Sequence, residues 1–212
     1  MFGYIDYLNL LPFHVFMKKY YYNYTTKKSY PSKINQMFEN KIVDAAFISS
    51  IKSKNKLCLD AGIIANQKVL SVLVCKGDTK YDIESNTSNI LAKILNQKGE
   101  VLIGDKALKR YYKDSSCQDL AHLWYKKYKL PFVFARFCIN KNKKGYKKMI
   151  NKFLSTKIYI PQYILKKYSK KTNIPPKEIK NYLNLISYKI GYKETKSLKK
   201  FLKQSKSLNQ SM

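Results

Sequence analysis

No apolar run in this 212-residue chain reaches the roughly 18–20 residues that a membrane-spanning helix needs, so the reading is of a folded soluble protein. Met1 leads directly into a strand pattern, without the basic segment and cleavage site of a secretory signal. Seven glycines form neither G-x-x-x-x-G-K-[ST] nor G-x-G-x-x-G, which argues against ATP and dinucleotide cofactors. Four cysteines, Cys58, Cys75, Cys117 and Cys138, contain no C-x-x-C pair. That spacing argues against zinc and against a secreted disulfide framework, and it points to free thiols and the cytoplasm. Cys75 and Cys138 lie in apolar runs, where a thiol packs as a small hydrophobe. The two histidines stand in no Ser-His-Asp or Cys-His motif.

Arginine is almost absent as well. The formal net charge is +29, yet Arg110 and Arg136 are the only arginines. Residues 141–212 hold 20 lysines against Glu178 and Glu194. Base readout and bidentate phosphate contacts favour Arg, and no helix-turn-helix, zinc-finger or RNP pattern is present, so no nucleic-acid partner is expected. A basic field of this size still speeds the capture of a small anion.

Strand and helix signals alternate along the first 140 residues. Strands are expected at 2–5, 43–48, 57–65, 69–75, 101–103 and 131–139, with 24–30 a poor candidate. Helices are expected at 12–22 and 31–40, each with Pro at its first position. Two more follow: one capped by Thr87-Ser88 and running to Asn96, and one from Leu120 to Tyr128 begun by Asp119. The strand at 101–103 closes at Gly104-Asp105, and 109–118 reads as a loop. Beyond Lys141 no strand is read. Lys-rich helices take over at about 144–156, 159–171, 176–190 and 194–204, and Ser205 to Met212 reads as a frayed end. Alternating β and α units predict an α/β fold with a mostly parallel sheet. Two long apolar strands, Val69–Cys75 and Pro131–Ile139, bracket a β/α block too small to stand alone, which points to two lobes.

Four polar clusters fall where strands give way to helices, the places where α/β sheets collect ligands. The first is Asn9 with Asp6 and Tyr7. Its plain alternative is a cap on the helix at Pro12. The second is Ser49-Ser50, after a buried strand. The third is Ser85-Asn86-Thr87-Ser88, more polar groups than capping needs, with hydroxyls and N–H groups suited to a carboxylate. The fourth is Gly104-Asp105, where glycine admits a ligand close to the backbone and the carboxylate can accept from a hydroxyl. His14, near Asn9, is a candidate acid or base, while His122 reads as a packing or surface residue. Trp124 reads as core.

In this order, the clusters resemble the chorismate dehydratases of the futalosine route to menaquinone. The matching stretches are Asp6-Tyr7-Leu8-Asn9-Leu10-Leu11-Pro12, Val43 to Ser50, Val69-Leu70-Ser71-Val72 and Ser85-Asn86-Thr87-Ser88. They continue through Val101 to Leu108, Asp119 to Ala135 with Trp124 inside, and a tail from Tyr182 through Tyr188 and Gly191 to Phe201.

The resemblance implies a two-lobed fold like that of type II periplasmic binding proteins, with a ligand cleft between the lobes. The division it implies is 1–76 plus 138–212 for the first lobe and 77–137 for the second, with the Lys-rich helices mainly on the first. It also implies a cytoplasmic hydro-lyase with no metal or redox cofactor, converting chorismate to 3-[(1-carboxyvinyl)oxy]benzoate. Asn9 and Asp105 are then the expected catalytic residues, with Asn9 orienting the reacting atoms and Asp105 or a substrate carboxylate handling the proton. The expected substrate-binding residues are Tyr7, Ser49, Ser50, Ser71, Ser85, Thr87, Ser88 and Gly104. Many family members carry Arg where this chain has Asn86, so Arg136 or a lysine is expected to face one carboxylate. Two alternatives are the 1,4-dihydroxy-6-naphthoate synthase of the same pathway, which relies on a cleft histidine, and a non-catalytic binding protein for a small carboxylate.

Overall fold

The computed structural model describes residues 1–114 and 116–210, the last two by backbone only. Among the described residues, nine strands form two sheets. The first sheet takes β1 (Phe2–Tyr4), β2 (Thr26–Lys28), β3 (Ala45–Ser49), β4 (Cys58–Ala65), β8 (Phe132–Ile139) and β9 (Ile186–Lys189), in the order β2-β1-β3-β8-β4-β9. The second takes β5 (Val72–Cys75), β6 (Glu100–Ile103) and β7 (Gln118–Asp119), in the order β6-β5-β7.

The sheets are not mostly parallel. β1 runs parallel to β2 and β3, but β8 is antiparallel to β3 and β4, β9 is antiparallel to β4, and every pair in the second sheet is antiparallel. The chain leaves the first sheet after β4, builds the second, and returns in β8 between β3 and β4. A returning strand comes back in the opposite sense, and no local pattern announces it. By sheet membership β5 belongs wholly with the second unit and β8 wholly with the first. The chain thus passes from the first sheet to the second between Ala65 and Val72, and back between Asp119 and Phe132.

Among the described residues, nine α-helices cover the sheets. α1 (Leu11–Tyr20), α2 (Pro31–Glu39), α3 (Asn86–Ile94), α5 (Leu120–Tyr128) and α6 (Lys143–Ser155) follow the apolar periodicity closely. The aromatic core of the first unit shows why α1 and α6 sit where they do. Phe13 of α1 meets Phe47 of β3 at 5.2 Å and Phe153 of α6 at 5.0 Å between ring centroids, and Phe47 meets Phe137 of β8 at 5.2 Å. Edge-on contacts of this kind add to the area that each ring buries.

Four elements depart from the pattern reading. α4 (Gly104–Lys113) begins at the glycine read as a strand end and fills the first half of the expected loop, because Ala107 and Leu108 give it a buried face. β2 forms in the poor candidate segment as a fully exposed, Lys-rich strand at a sheet edge, where lysine also discourages further pairing. The tail does contain a strand. α7 (Gln162–Thr172) precedes α8 (Pro176–Leu183), which stops at Asn184, and β9 then pairs with β4 through Ile186 and Ser187. Finally, α9 (Tyr192–Gln210) does not fray at Ser205, which is buried; Ser211 and Met212 lie outside the described residues. α9 also ties the two units together. Trp124 of α5 donates to Ser197 Oγ at 2.9 Å, and Phe201 packs 5.1 Å from Phe132 of β8.

The cysteines are paired rather than free: Cys58 with Cys138, and Cys75 with Cys117. Cys58 and Cys138 are cross-strand partners in β4 and β8, a proximity that a spacing of 80 residues conceals.

Candidate functional site

A cavity of about 70 Å³ lies where the two sheets face each other. From the first unit it takes Ile5, Tyr7 and Asn9 beyond β1, Phe47 and Ser49 of β3, Ile63 of β4, and Phe134 and Ala135 of β8. Val69, Ser71 and Val72 at β5, Ser85 and Ser88 at the start of α3, and Ile103-Gly104 at the β6–α4 junction close it from the second. Apolar walls with a few aimed polar groups are the usual make-up of a small-molecule site.

Asn9 is not a helix cap. It sits in a 3-10 turn, Leu8–Leu10, and α1 has no side-chain cap. Its Oδ1 is buried with no hydrogen-bond partner among the described residues, and the residue lines the cavity. An unpaired buried amide oxygen costs free energy, on the order of 1–3 kcal/mol. Here the backbone around it is fixed from two sides. Asp105 accepts from Leu8 N–H at 3.1 Å, and Tyr188 of β9 donates to the Asn9 carbonyl at 2.6 Å.

Four serine hydroxyls, those of Ser49, Ser71, Ser85 and Ser88, line the same space, and each is held by a polar neighbour. Ser49 Oγ accepts from Asn35 Nδ2 at 3.0 Å, while Ser49 N–H donates to Asn35 Oδ1 at 3.1 Å. Ser88 Oγ pairs with Ser85 Oγ at 2.8 Å, and Ser71 Oγ pairs with the buried Tyr182 hydroxyl at 2.9 Å. A serine that accepts from behind keeps its own O–H to donate forward. Ser49 and Ser88 have this arrangement, and Ser71 can adopt it by rotating its hydroxyl. Ser85 caps α3 by accepting from Ser88 N–H, so the cap is Ser85 rather than Thr87-Ser88. The N–H groups of Asn86 and Thr87 then have no acceptor within the helix.

Ser50, Thr87, Asp105 and Arg136 are not among the residues that line this cavity. Ser50 is fully buried and donates to Val133 O. Thr87 accepts from Ile51 N–H at 3.2 Å, a bond between the two units. Asp105 does not line the cavity. Burial pushes its carboxyl above the usual carboxylate range, against the Leu8 N–H that favours the charged form. Arg136 is not a lining residue either. The side chain is half-buried, Asp60 is the acid acting on its guanidinium, and its buried Nε has no hydrogen-bond partner among the described residues. β8 presents Phe134 and Ala135 to the cavity instead. His14 lines a different cavity, and no histidine lines this one among the described residues.

Gly104 is required by Tyr7. Its φ is +65°, and a Cβ there would lie 2.7 Å from Tyr7 Cε2. The Tyr7 hydroxyl donates to the Glu84 carboxylate, which bridges the two units again. Burial first and Glu84 second push the Tyr7 hydroxyl well above the usual tyrosine value, so it remains a donor.

A model of the menaquinone biosynthesis family matches residues 1–100 and 78–207. The chain belongs to the menaquinone biosynthesis family. A protein named chorismate dehydratase, from Campylobacter jejuni subsp. jejuni serotype O:23/36 (strain 81-176), is 49% identical over 220 residues, 99% of each chain. Among solved structures, a protein from Archaeoglobus fulgidus aligns over 98% of this chain and 97% of its own, with TM-score 0.71 and 13% identity. A Candida albicans protein described as having the generic periplasmic binding protein fold gives TM-score 0.59 at 10% identity, over 97% of this chain and 89% of its own. The alkanesulfonate-binding protein SsuA of Xanthomonas axonopodis pv. citri gives 0.54 at 10%, over 98% and 89%. The family member described here therefore has the periplasmic-binding-protein-like fold.

Asn35, Glu84, Tyr182 and Tyr188 hold residues that line this cavity, and the sequence pattern assigned them no role. Asn35 had been hidden inside an amphipathic helix. The alternation Ile186-Ser187-Tyr188-Lys189-Ile190 was a usable strand signal for Tyr188.

Proposed function

We propose that the chain is a cytoplasmic chorismate dehydratase, a hydro-lyase that converts chorismate to 3-[(1-carboxyvinyl)oxy]benzoate and water. The observation that carries this reading is the 49% identity to a chorismate dehydratase over 99% of both chains. The cavity geometry supports it. Chorismate bears two carboxylates and a ring one elimination short of aromatic, so the protein's task is to bind, orient and desolvate.

In this reading the two units are lobes that close over the substrate. The hydroxyls of Ser49, Ser71 and Ser88, with the N–H groups opening α3, hold carboxylate oxygens as neutral donors. Asn9 orients the ring hydroxyl with its otherwise unpaired amide. A substrate carboxylate takes the proton from the neighbouring ring carbon, those C–H electrons form the last ring double bond, and the C–O bond breaks. The hydroxide leaves with a proton as water. Asp105 positions the Asn9 turn through Leu8 N–H instead of receiving the proton. Ser50 and Thr87 are structural supports, and Arg136 holds no carboxylate. In a reducing cytoplasm the two cysteine pairs would stand as neighbouring thiols.

The test is incubation of the pure protein with chorismate. The expected result is a product lighter by one water, with the ultraviolet absorbance of a new benzene ring. Chorismate recovered unchanged would overturn the assignment.

A further inference from the structure

A second cavity, of about 500 Å³, opens on the other side of the first unit between α1, β2 and α7. Its floor is apolar and closed, with Phe2 and Leu11 each 1% exposed. Its walls are tyrosines: Tyr4, Tyr21, Tyr24 and Tyr168, with the exposed Tyr22 and Tyr163 at the rim. His14 lines it, 8% exposed, with the Ile5 backbone as the one group bonding its ring, and stacks on Tyr4 at 3.9 Å between centroids. Burial drives the imidazole down to about 3, so it is neutral and offers one N–H and one lone pair. Asp6, beside it, is already held by Lys28, Lys171 and Tyr168. Lys18 and Lys167 line the same cavity and enter no ion pair among the described residues.

None of these features serves the cavity between the sheets. A buried imidazole bonded only to the Ile5 backbone leaves one nitrogen idle, a cost that a ligand would remove. Tyrosine faces accept a flat ring, and unpaired lysines at an opening accept a negative charge.

The geometry points to a second ligand site here, for a small planar aromatic carboxylate whose ring lies among the tyrosines and reaches His14 while its charge faces Lys18 and Lys167. The site is separate from the dehydratase reading and stands whether or not chorismate is turned over.

The chain has two histidines, so side-chain resonances of His14 can be followed with His122 as an internal control. The probe is 4-hydroxybenzoate, titrated into full-length protein at neutral pH. His14 resonances should move and saturate while His122 stays still. The double variant Lys18→Glu/Lys167→Glu should bind about tenfold more weakly, two charge contacts being reversed. Ser71→Leu, which fills the cavity between the sheets, should leave the His14 response intact. No movement of His14, an unchanged affinity in the lysine variant, or a response lost in Ser71→Leu would each overturn the proposal.

Discussion

Gly104→Ala is the sharpest local test of how the site is held. At φ +65° an alanine costs roughly 1 kcal/mol more than glycine. The new methyl would also stand 2.7, 2.8 and 3.0 Å from three carbons of the Tyr7 ring. That ring has little room to yield, because its hydroxyl is bonded to Glu84. Overlap with a fixed neighbour adds about 1–3 kcal/mol. The expected loss is therefore about 2–4 kcal/mol by urea denaturation. Turnover of chorismate should fall on the order of a hundredfold, since Asn9 lies two residues from the displaced ring. The reasoning is separable by a double-mutant cycle with Tyr7→Leu. Removing the ring should recover the overlap part, about 1–3 kcal/mol, and leave the backbone part. Strict additivity of the two substitutions would show that the Tyr7 ring is not what the methyl meets.

Three other outcomes are expected. Asn35→Ala strips the buried partner from both Ser49 N–H and Oγ, so stability should drop by about 1–3 kcal/mol and KM should rise, both readable by denaturation and steady-state kinetics. Tyr188→Phe removes one bond to the Asn9 carbonyl and should lower kcat severalfold with little change in KM; an unchanged kcat would deny it a positioning role. Asp6 is raised by burial but held well below the usual range by Lys171, Lys28 and Tyr168, so its folded value lies under the ordinary 3.8. Its stabilisation is present above 3.8 and fades as pH falls toward the folded value. Asp6→Asn should accordingly destabilise at pH 7 and much less at low pH; an equal loss at both would contradict the linkage.

The elements that carried their own signal were legible in the sequence. Pro31 with Ile34 and Phe38 defines α2, Phe132 to Ile139 defines β8, and Asp119 caps α5 through the N–H groups of Ala121 and His122. What was hidden depends on partners distant in the chain. β9 exists because β4 offers it an edge, the cysteine pairs exist because β8 returns beside β4, and the antiparallel senses follow from that same return. The site divides in the same way. Asn9, Ser49, Ser71 and Ser88 were visible as polar residues at strand ends, and the cavity gathers them. Ser50, Thr87, Asp105 and Arg136 carry the same residue types in the same neighbourhoods, yet their polar atoms are spent on backbone groups or lie away from the cavity. Type and spacing cannot say which way a side chain turns, and alternation along a strand reverses it with each residue.

The most direct measurement is single-turnover kinetics of Asn9→Ala and Asn9→Asp beside the unaltered protein, with binding of 3-[(1-carboxyvinyl)oxy]benzoate followed in parallel. Aromatic product should form on the order of a hundredfold or more slowly in both variants while Asn9→Ala still binds that compound, because orientation is lost and the serine donors remain. Both variants forming product at the unaltered rate would contradict the account.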